Sequence, residues 1–107
     1  MYIAMNRFKV AKGREAEFEE MWMTRDSYLH EVPGFVEFHL LRGPERDDHR
    51  LYTSHSTWAS YEDFQNWTRS EAFRKAHANA GSMTDGLTLE APAFEGFEVV
   101  GTVKSGA

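Results

Sequence analysis

Few side chains in this sequence are placed to do chemistry, and three of them stand out: an amide in the first apolar segment, Asn6; a large aromatic, Trp67; and a histidine, His77, ten residues beyond it. His77 is flanked by Ala76 and Ala78, small neighbours that leave room for a planar ligand. It falls shortly before Gly81, in the final turns of a helical stretch, where the negative helix end favours a basic imidazole. Asn6 lies mid-strand among apolar neighbours, so its amide must find a hydrogen-bond partner or border a cavity. Taken singly, each has a structural explanation: a surface histidine, a core tryptophan, a satisfied buried amide or bulge residue. The other four of the five histidines read as structural. His30 follows the first helix, His49 sits in a charged loop, and His39 and His55 lie in paired strands where they can face each other.

Other chemistries lack their residues. There is no cysteine, which excludes disulfides, thiolate metal sites and cysteine nucleophiles. Gly13, Gly34 and Gly43 are isolated turn glycines, so no phosphate loop forms, and neither HExxH nor an EF-hand loop occurs. Glu15, Glu17, Glu19 and Glu20 make a solvated helix face rather than a carboxylate pair. No serine sits in a nucleophile elbow.

The segment from Trp58 to Gly81 must position two of the three residues. Ser60 with Asp63 forms a capping box that starts a helix at Tyr61, placing Phe64 and Trp67 on one face. Ser70 is a second N-cap, so the helix breaks between Thr68 and Ser70 and restarts. The break matters because, in one straight helix, Trp67 and His77 would stand ~15 Å apart along the axis at about 1.5 Å per residue. Ahead of this segment, residues 2 to 10 alternate as a strand, with Tyr2, Ala4, Asn6, Phe8 and Val10 on one face and Ile3, Met5, Arg7 and Lys9 on the other. A helix of about fifteen residues follows from Arg14, burying Phe18, Met21, Trp22 and Leu29. Pro33-Gly34 leads to a strand from Phe35 to Arg42, closed by a Gly43-Pro44 turn, and a third strand runs from Arg50 to Trp58. Ser82 to Pro92 reads as a mobile loop, and Glu95 to Val103 as the last strand.

The order β-α-β-β-α-β predicts an α+β, ferredoxin-like fold with both helices on one face of a largely antiparallel sheet, in a single domain over 1–107. Apolar residues fall on both faces: Tyr2 and Phe8 against Ile3 and Met5, then Phe35 and Leu41 against Val36, Phe38 and Leu40. Helices cover one face only, so the other predicts a homodimer packed sheet to sheet. The length of 107 residues, 41% apolar content and formal charge of −5 fit one globular domain and argue against nucleic acid as the main partner. The N-terminus lacks a secretory pattern and no apolar run reaches membrane length, which gives a cytoplasmic protein without a membrane partner as the expectation.

Together, Asn6, Trp67 and His77, with AMNRFKV, PGFVEFHLL, the SHSTWASYEDFQNWTRSEAFRKAHA segment and FEGFEVV, resemble the IsdG-type haem-degrading monooxygenases of the antibiotic-biosynthesis-monooxygenase-like superfamily, especially the branch found in Gram-negative bacteria. The resemblance implies a dimeric α+β barrel in which haem is both cofactor and substrate, with no flavin or nicotinamide bound by the chain. It implies His77 as the proximal ligand to haem iron, Asn6 as the distal hydrogen-bond donor, and Trp67 as the side chain that presses on the macrocycle and favours its distortion. O₂ and electrons from an external donor or reductase would open the ring to a biliverdin-like bilin and release iron, as in iron acquisition. Arg7, Arg25, Arg69, Arg74 and Lys75 are available for the propionates, and the Ser82 to Pro92 loop for covering the haem. Two other readings fit the same residues: a cofactor-independent monooxygenase of aromatic polyketide-like substrates, and a haem-binding module without turnover.

Overall fold

The computed structural model describes residues 1–24, 29–71, 73–74 and 86–106. The elements are β1 (Tyr2–Ala11), α1 (Glu15–Thr24), a 3₁₀ turn (Leu29–Glu31), β2 (Phe35–Glu45), β3 (His49–Trp58), α2 (Tyr61–Thr68) and β4 (Ala93–Glu98). All three strand pairings are antiparallel, in the order β2-β3-β1-β4. This is the ferredoxin-like α+β arrangement that the sequence predicts, with α1 and α2 on one face.

The alternation in β1 decides which face that is. Tyr2, Ala4, Phe8 and Val10 are buried, whereas Arg7 and Lys9 on the opposite face are exposed. Two apolar clusters form on the helix-bearing face. At one end, Phe18 and Met21 of α1 pack on Phe8, Val10 and Tyr52. At the other, Phe64 and Trp67 of α2 pack on Tyr2, Ala4 and Trp58, the last fully buried. The two helices thus sit over opposite ends of the sheet, and the sheet's middle lies between them.

α2 begins as its capping box requires. Ser60 is extended, and its hydroxyl accepts from the Asp63 amide at 3.1 Å. Gly34, at φ +83°, lies beside Asp63, where a Cβ would overlap the carboxyl group. Only glycine combines that backbone conformation with that clearance.

Several expected boundaries move. α1 covers ten residues, and Leu29 is buried from the separate 3₁₀ turn rather than from α1 itself. Gly43-Pro44 is not the turn: β2 runs on to Glu45 through an irregularity between Arg42 and Glu45, and the hairpin closes at Arg46, whose amide donates to the His49 carbonyl at 2.8 Å. His49 consequently opens β3, its Nδ1 2.6 Å from Asp48 Oδ1. A second register shift, between Phe35 and Glu37, breaks the parity of β2, so Phe35 joins Phe38 against the helix-side cluster instead of sharing a face with Leu41. β4 starts two residues early and stops at Glu98, because Glu98 pairs with Tyr2 and β1 has only Met1 left to offer.

Of the Ser82 to Pro92 loop, residues 82–85 lie outside the described residues, but the next part is pinned rather than mobile. Leu87 is buried in the α1-side cluster, Ala11 donates to its carbonyl at 2.8 Å, and Leu89 donates to the Lys9 carbonyl at 2.9 Å. No helix among the described residues is long and apolar enough to cross a membrane.

Candidate active site between the two helices

A cavity of about 380 Å³ opens where the two helices leave the sheet uncovered. Its floor consists of small residues on the helix-facing side of the two central strands: Ala4 and Asn6 of β1, and their register partners Ser56 and Ser54 of β3. Their volume is too small to fill the gap between α1 and α2. The walls are aromatic. Trp22 of α1 stacks on Phe38 at 5.5 Å, and Phe64 stacks on Phe94 of β4 at 5.7 Å. Trp67 meets Phe73 edge to face at 4.8 Å.

Asn6 and Trp67, two of the three residues singled out by type, therefore line one cavity although they come from β1 and α2. His77 lies outside the described residues. The helix break ahead of it is as expected. Arg69 ends α2, and the Ser70 hydroxyl accepts from the Phe73 amide at 3.2 Å while donating to the Trp67 carbonyl at 2.6 Å. This second cap turns the chain so that Phe73 returns to the cavity instead of continuing along the α2 axis.

Of the cations considered for an anionic substrate group, Arg7 is on the wrong face. It follows Asn6 by one residue, so it points to the far side of the sheet, where Nε pairs with Glu95 at 2.8 Å. Arg25 and Lys75 lie outside the described residues. Arg69 and Arg74 are exposed at the end of α2 and just after the break.

Of the other floor and wall residues, Ser54, Ser56 and Phe94 were not singled out from sequence, and Trp22 and Phe38 read there as apolar packing residues. A usable signal was present in the alternation of β3, which puts Ser54 and Ser56 on the same face as the bulky Tyr52 and Trp58 and so marks a gap in the core. The other histidines stay out of the cavity. His39 and His55 are register partners with ring centroids 6.1 Å apart on the opposite face, and the His30 side chain is exposed. Among the described residues no cluster of three or more His, Cys, Asp or Glu could hold a metal ion.

The α1 wall is fixed by a polar clamp. Arg42 of β2 donates from Nη2 to both Glu19 oxygens, at 2.6 and 2.7 Å, and the hydroxyl of fully buried Tyr52 also donates to Glu19. The Tyr52 and Arg42 hydrogen bonds hold the Glu19 carboxyl below its ordinary pKa; burial, chiefly, pushes the Tyr52 hydroxyl above its own. Trp22 follows Glu19 by three residues on the same helix.

A split βαβ chain with an aromatic, half-open cavity between its helices and an antiparallel sheet defines a small-molecule binding fold. Its relatives say which one. Residues 1–79 match the antibiotic biosynthesis monooxygenase family. A heme-degrading monooxygenase of Bacillus thuringiensis subsp. konkukian is 30% identical over 100 residues, covering 94% of this chain and 92% of that protein. The heme degrader MhuD of Mycobacterium tuberculosis, solved with two hemes in its active site, is 30% identical with a TM-score of 0.74 over 97% of this chain and 100% of that one. SnoaB of Streptomyces nogalater, a cofactor-independent oxygenase, shares the fold at 24% identity and a TM-score of 0.69, over 97% of each chain. The chain belongs to the antibiotic biosynthesis monooxygenase family and is a monooxygenase.

Proposed function

We propose that this protein oxidatively degrades haem, with the macrocycle bound in the cavity between α1, α2 and the sheet. The observation that carries this reading is the convergence of Asn6 and Trp67, from distant parts of the chain, on one aromatic cavity in a chain 30% identical to a heme-degrading relative. The cavity suits the ligand. Trp22, Phe38, Phe64 and Trp67 offer apolar, flat surfaces to a flat macrocycle, and Asn6 and Ser54 add polar groups on the floor.

In this reading haem supplies the redox centre and is consumed, with O₂ and electrons from an external donor or reductase as co-reactants. The protein's own residues bind and orient. His77 would hold the haem iron through an imidazole nitrogen. Asn6 would offer an amide N–H, a neutral donor, where negative charge develops as oxygen is activated. Trp67 would press on the macrocycle and favour its distortion, one of the levers by which a protein tunes haem electronics. The product is a linear, biliverdin-like bilin, with release of iron. A single domain over 1–107, no flavin or nicotinamide on the chain, a cytoplasmic location and a role in iron acquisition complete the proposal.

We further propose that the chain works as a homodimer joined through the far side of the sheet. Leu41 and Phe97 are 42% and 48% exposed on that side, among Thr53 and Thr57, which are already buried. His55 Nδ1, on the same face, is buried without a hydrogen-bond partner among the described residues, a cost that a partner surface could remove. Light scattering at micromolar concentration is expected to give twice the 12.3 kDa mass of the chain; a monomer mass refutes this part.

The deciding experiment is a haemin titration of the purified protein, followed by ascorbate or a reductase under air with catalase present. Saturable Soret binding at one haem per chain, then Soret loss with growth of a bilin band, is the expected result. Binding without decay supports a haem-binding module instead. Failure to bind haem sends the same cavity back to an aromatic, polyketide-like substrate oxidised without a cofactor.

A further inference from the structure

The polar groups on the cavity floor are not equivalent, and their hydrogen bonds separate them. Ser56 is committed: its hydroxyl donates to the Ala4 carbonyl at 3.3 Å and accepts from Trp58 Nε1 at 3.0 Å. Thr68, on the α2 side, donates to the Gln65 carbonyl at 2.7 Å. Asn6 and Ser54 have no side-chain hydrogen bond among the described residues, although Ser54 is only 6% exposed. They are register partners across β1 and β3, on the same face, and both line the cavity. Opposed Cα atoms in an antiparallel pair lie about 4.5–5.5 Å apart, so the amide and the hydroxyl stand side by side. Two adjacent donors without a partner among the described residues therefore face one cavity, where a single acceptor would satisfy both.

We propose that Ser54 is a second hydrogen-bond donor, beside Asn6, to the small ligand held at the iron, and that the two form a two-point site for anionic or strongly hydrogen-bond-accepting ligands. The proposal rests on the haem reading. Asn6 supplies N–H from a fixed planar group, whereas the Ser54 hydroxyl rotates and serves acceptors lying to the β3 side. The pair thereby discriminates by acceptor strength: an anion such as azide gains from both donors, and carbon monoxide, a weak acceptor, from neither.

The test uses the ferric haem complex and azide as the probe, with carbon monoxide on the ferrous complex as the comparison. Losing a hydrogen bond to a charged ligand costs roughly tenfold or more in affinity. Ser54→Ala is therefore expected to weaken azide about tenfold, while the carbon monoxide affinity of the same haem complex stays within about twofold of wild type. Ser54→Thr, which keeps the hydroxyl, is expected to restore most of the loss. The Asn6→Ala and Ser54→Ala effects are expected to be non-additive in the double variant, because both donors act on one ligand. Unchanged azide affinity in Ser54→Ala, with haem bound normally, overturns the proposal and leaves the haem reading standing. A wild-type protein that binds no haem overturns both.

Discussion

Glu19→Ala puts the α1 wall of the cavity to the test. Wild-type Glu19 gathers the Tyr52 hydroxyl and the Arg42 guanidinium on one carboxylate. Arg42 is 55% exposed, so its ion pair is screened and adds little. The larger effect belongs to Tyr52, which is fully buried. Removing its acceptor strands a buried O–H donor, and Arg42 Nε, 3.3 Å away, is itself a donor and cannot substitute. An unmet buried hydroxyl costs about 1–3 kcal/mol, so Glu19→Ala is expected to lose ~2 kcal/mol. Tyr52→Phe in the Glu19→Ala background removes the stranded group and is expected to cost nothing further or to stabilise, a coupling of at least ~1 kcal/mol in the double-mutant cycle. Urea unfolding at pH 7 with an unchanged m-value measures this. Because Trp22 follows one turn later on α1 and lines the cavity, haemin affinity is expected to fall in parallel. The sign with pH follows from the Glu19 carboxyl being held below its ordinary 4.5. Its contribution is complete above about pH 4.5 and disappears as pH falls through the lower folded value, so the gap between wild type and Glu19→Gln is expected to narrow on acidification. Additive single-variant effects, or a Glu19→Ala loss below about 0.5 kcal/mol, refute the clamp.

Further outcomes are open to direct measurement. Ser60→Ala removes the cap of α2 and is expected to cost about 1 kcal/mol in urea unfolding, with Ser60→Gly milder. Gly34→Ala meets both a left-handed backbone and the Asp63 side chain, and is expected to cost more than Ser60→Ala, at about 2 kcal/mol or above. Trp67→Phe is expected to retain haem binding but to shift the rate or the distribution of bilin products, read by chromatography of the pigment. His77→Ala is expected to abolish turnover and weaken haem binding greatly, whereas Asn6→Ala is expected to bind haem nearly as wild type and turn it over slowly; wild-type turnover in His77→Ala would remove the histidine from the mechanism.

Much of this was legible in the sequence because local physics carried it. The β1 alternation assigns Asn6 to the helix side and Arg7 to the other, and the Ser60–Asp63 and Ser70 caps are local hydrogen bonds that need no tertiary context. What sequence periodicity missed was set by pairing between distant segments. The irregularity between Phe35 and Glu37 flips the parity of β2, and no residue type there announces it. Leu87 reads as part of a polar loop until the end of β1 supplies partners for its carbonyl and for the Leu89 amide. Propionate candidates were over-counted for a related reason: Arg7 is adjacent to Asn6 in sequence, and in a strand adjacency means opposite faces.

The location of the cavity follows from the same strand physics. On the central strands, the helix-facing positions run large, small, small, large: Tyr2, Ala4, Asn6, Phe8 on β1 against Trp58, Ser56, Ser54, Tyr52 on β3. The large residues at each end seat one helix apiece, α2 on Tyr2 and Trp58, α1 on Phe8 and Tyr52. Between them the small residues give neither helix anything to pack against, so the gap persists as a site instead of collapsing into core. A well-packed version would need Leu or Phe at Ala4 or Ser54, and would gain stability from the added burial while losing the cavity. The small, polar middle of this sheet is therefore a cost in packing that the two aromatic ends offset, and it is what leaves room for a ligand.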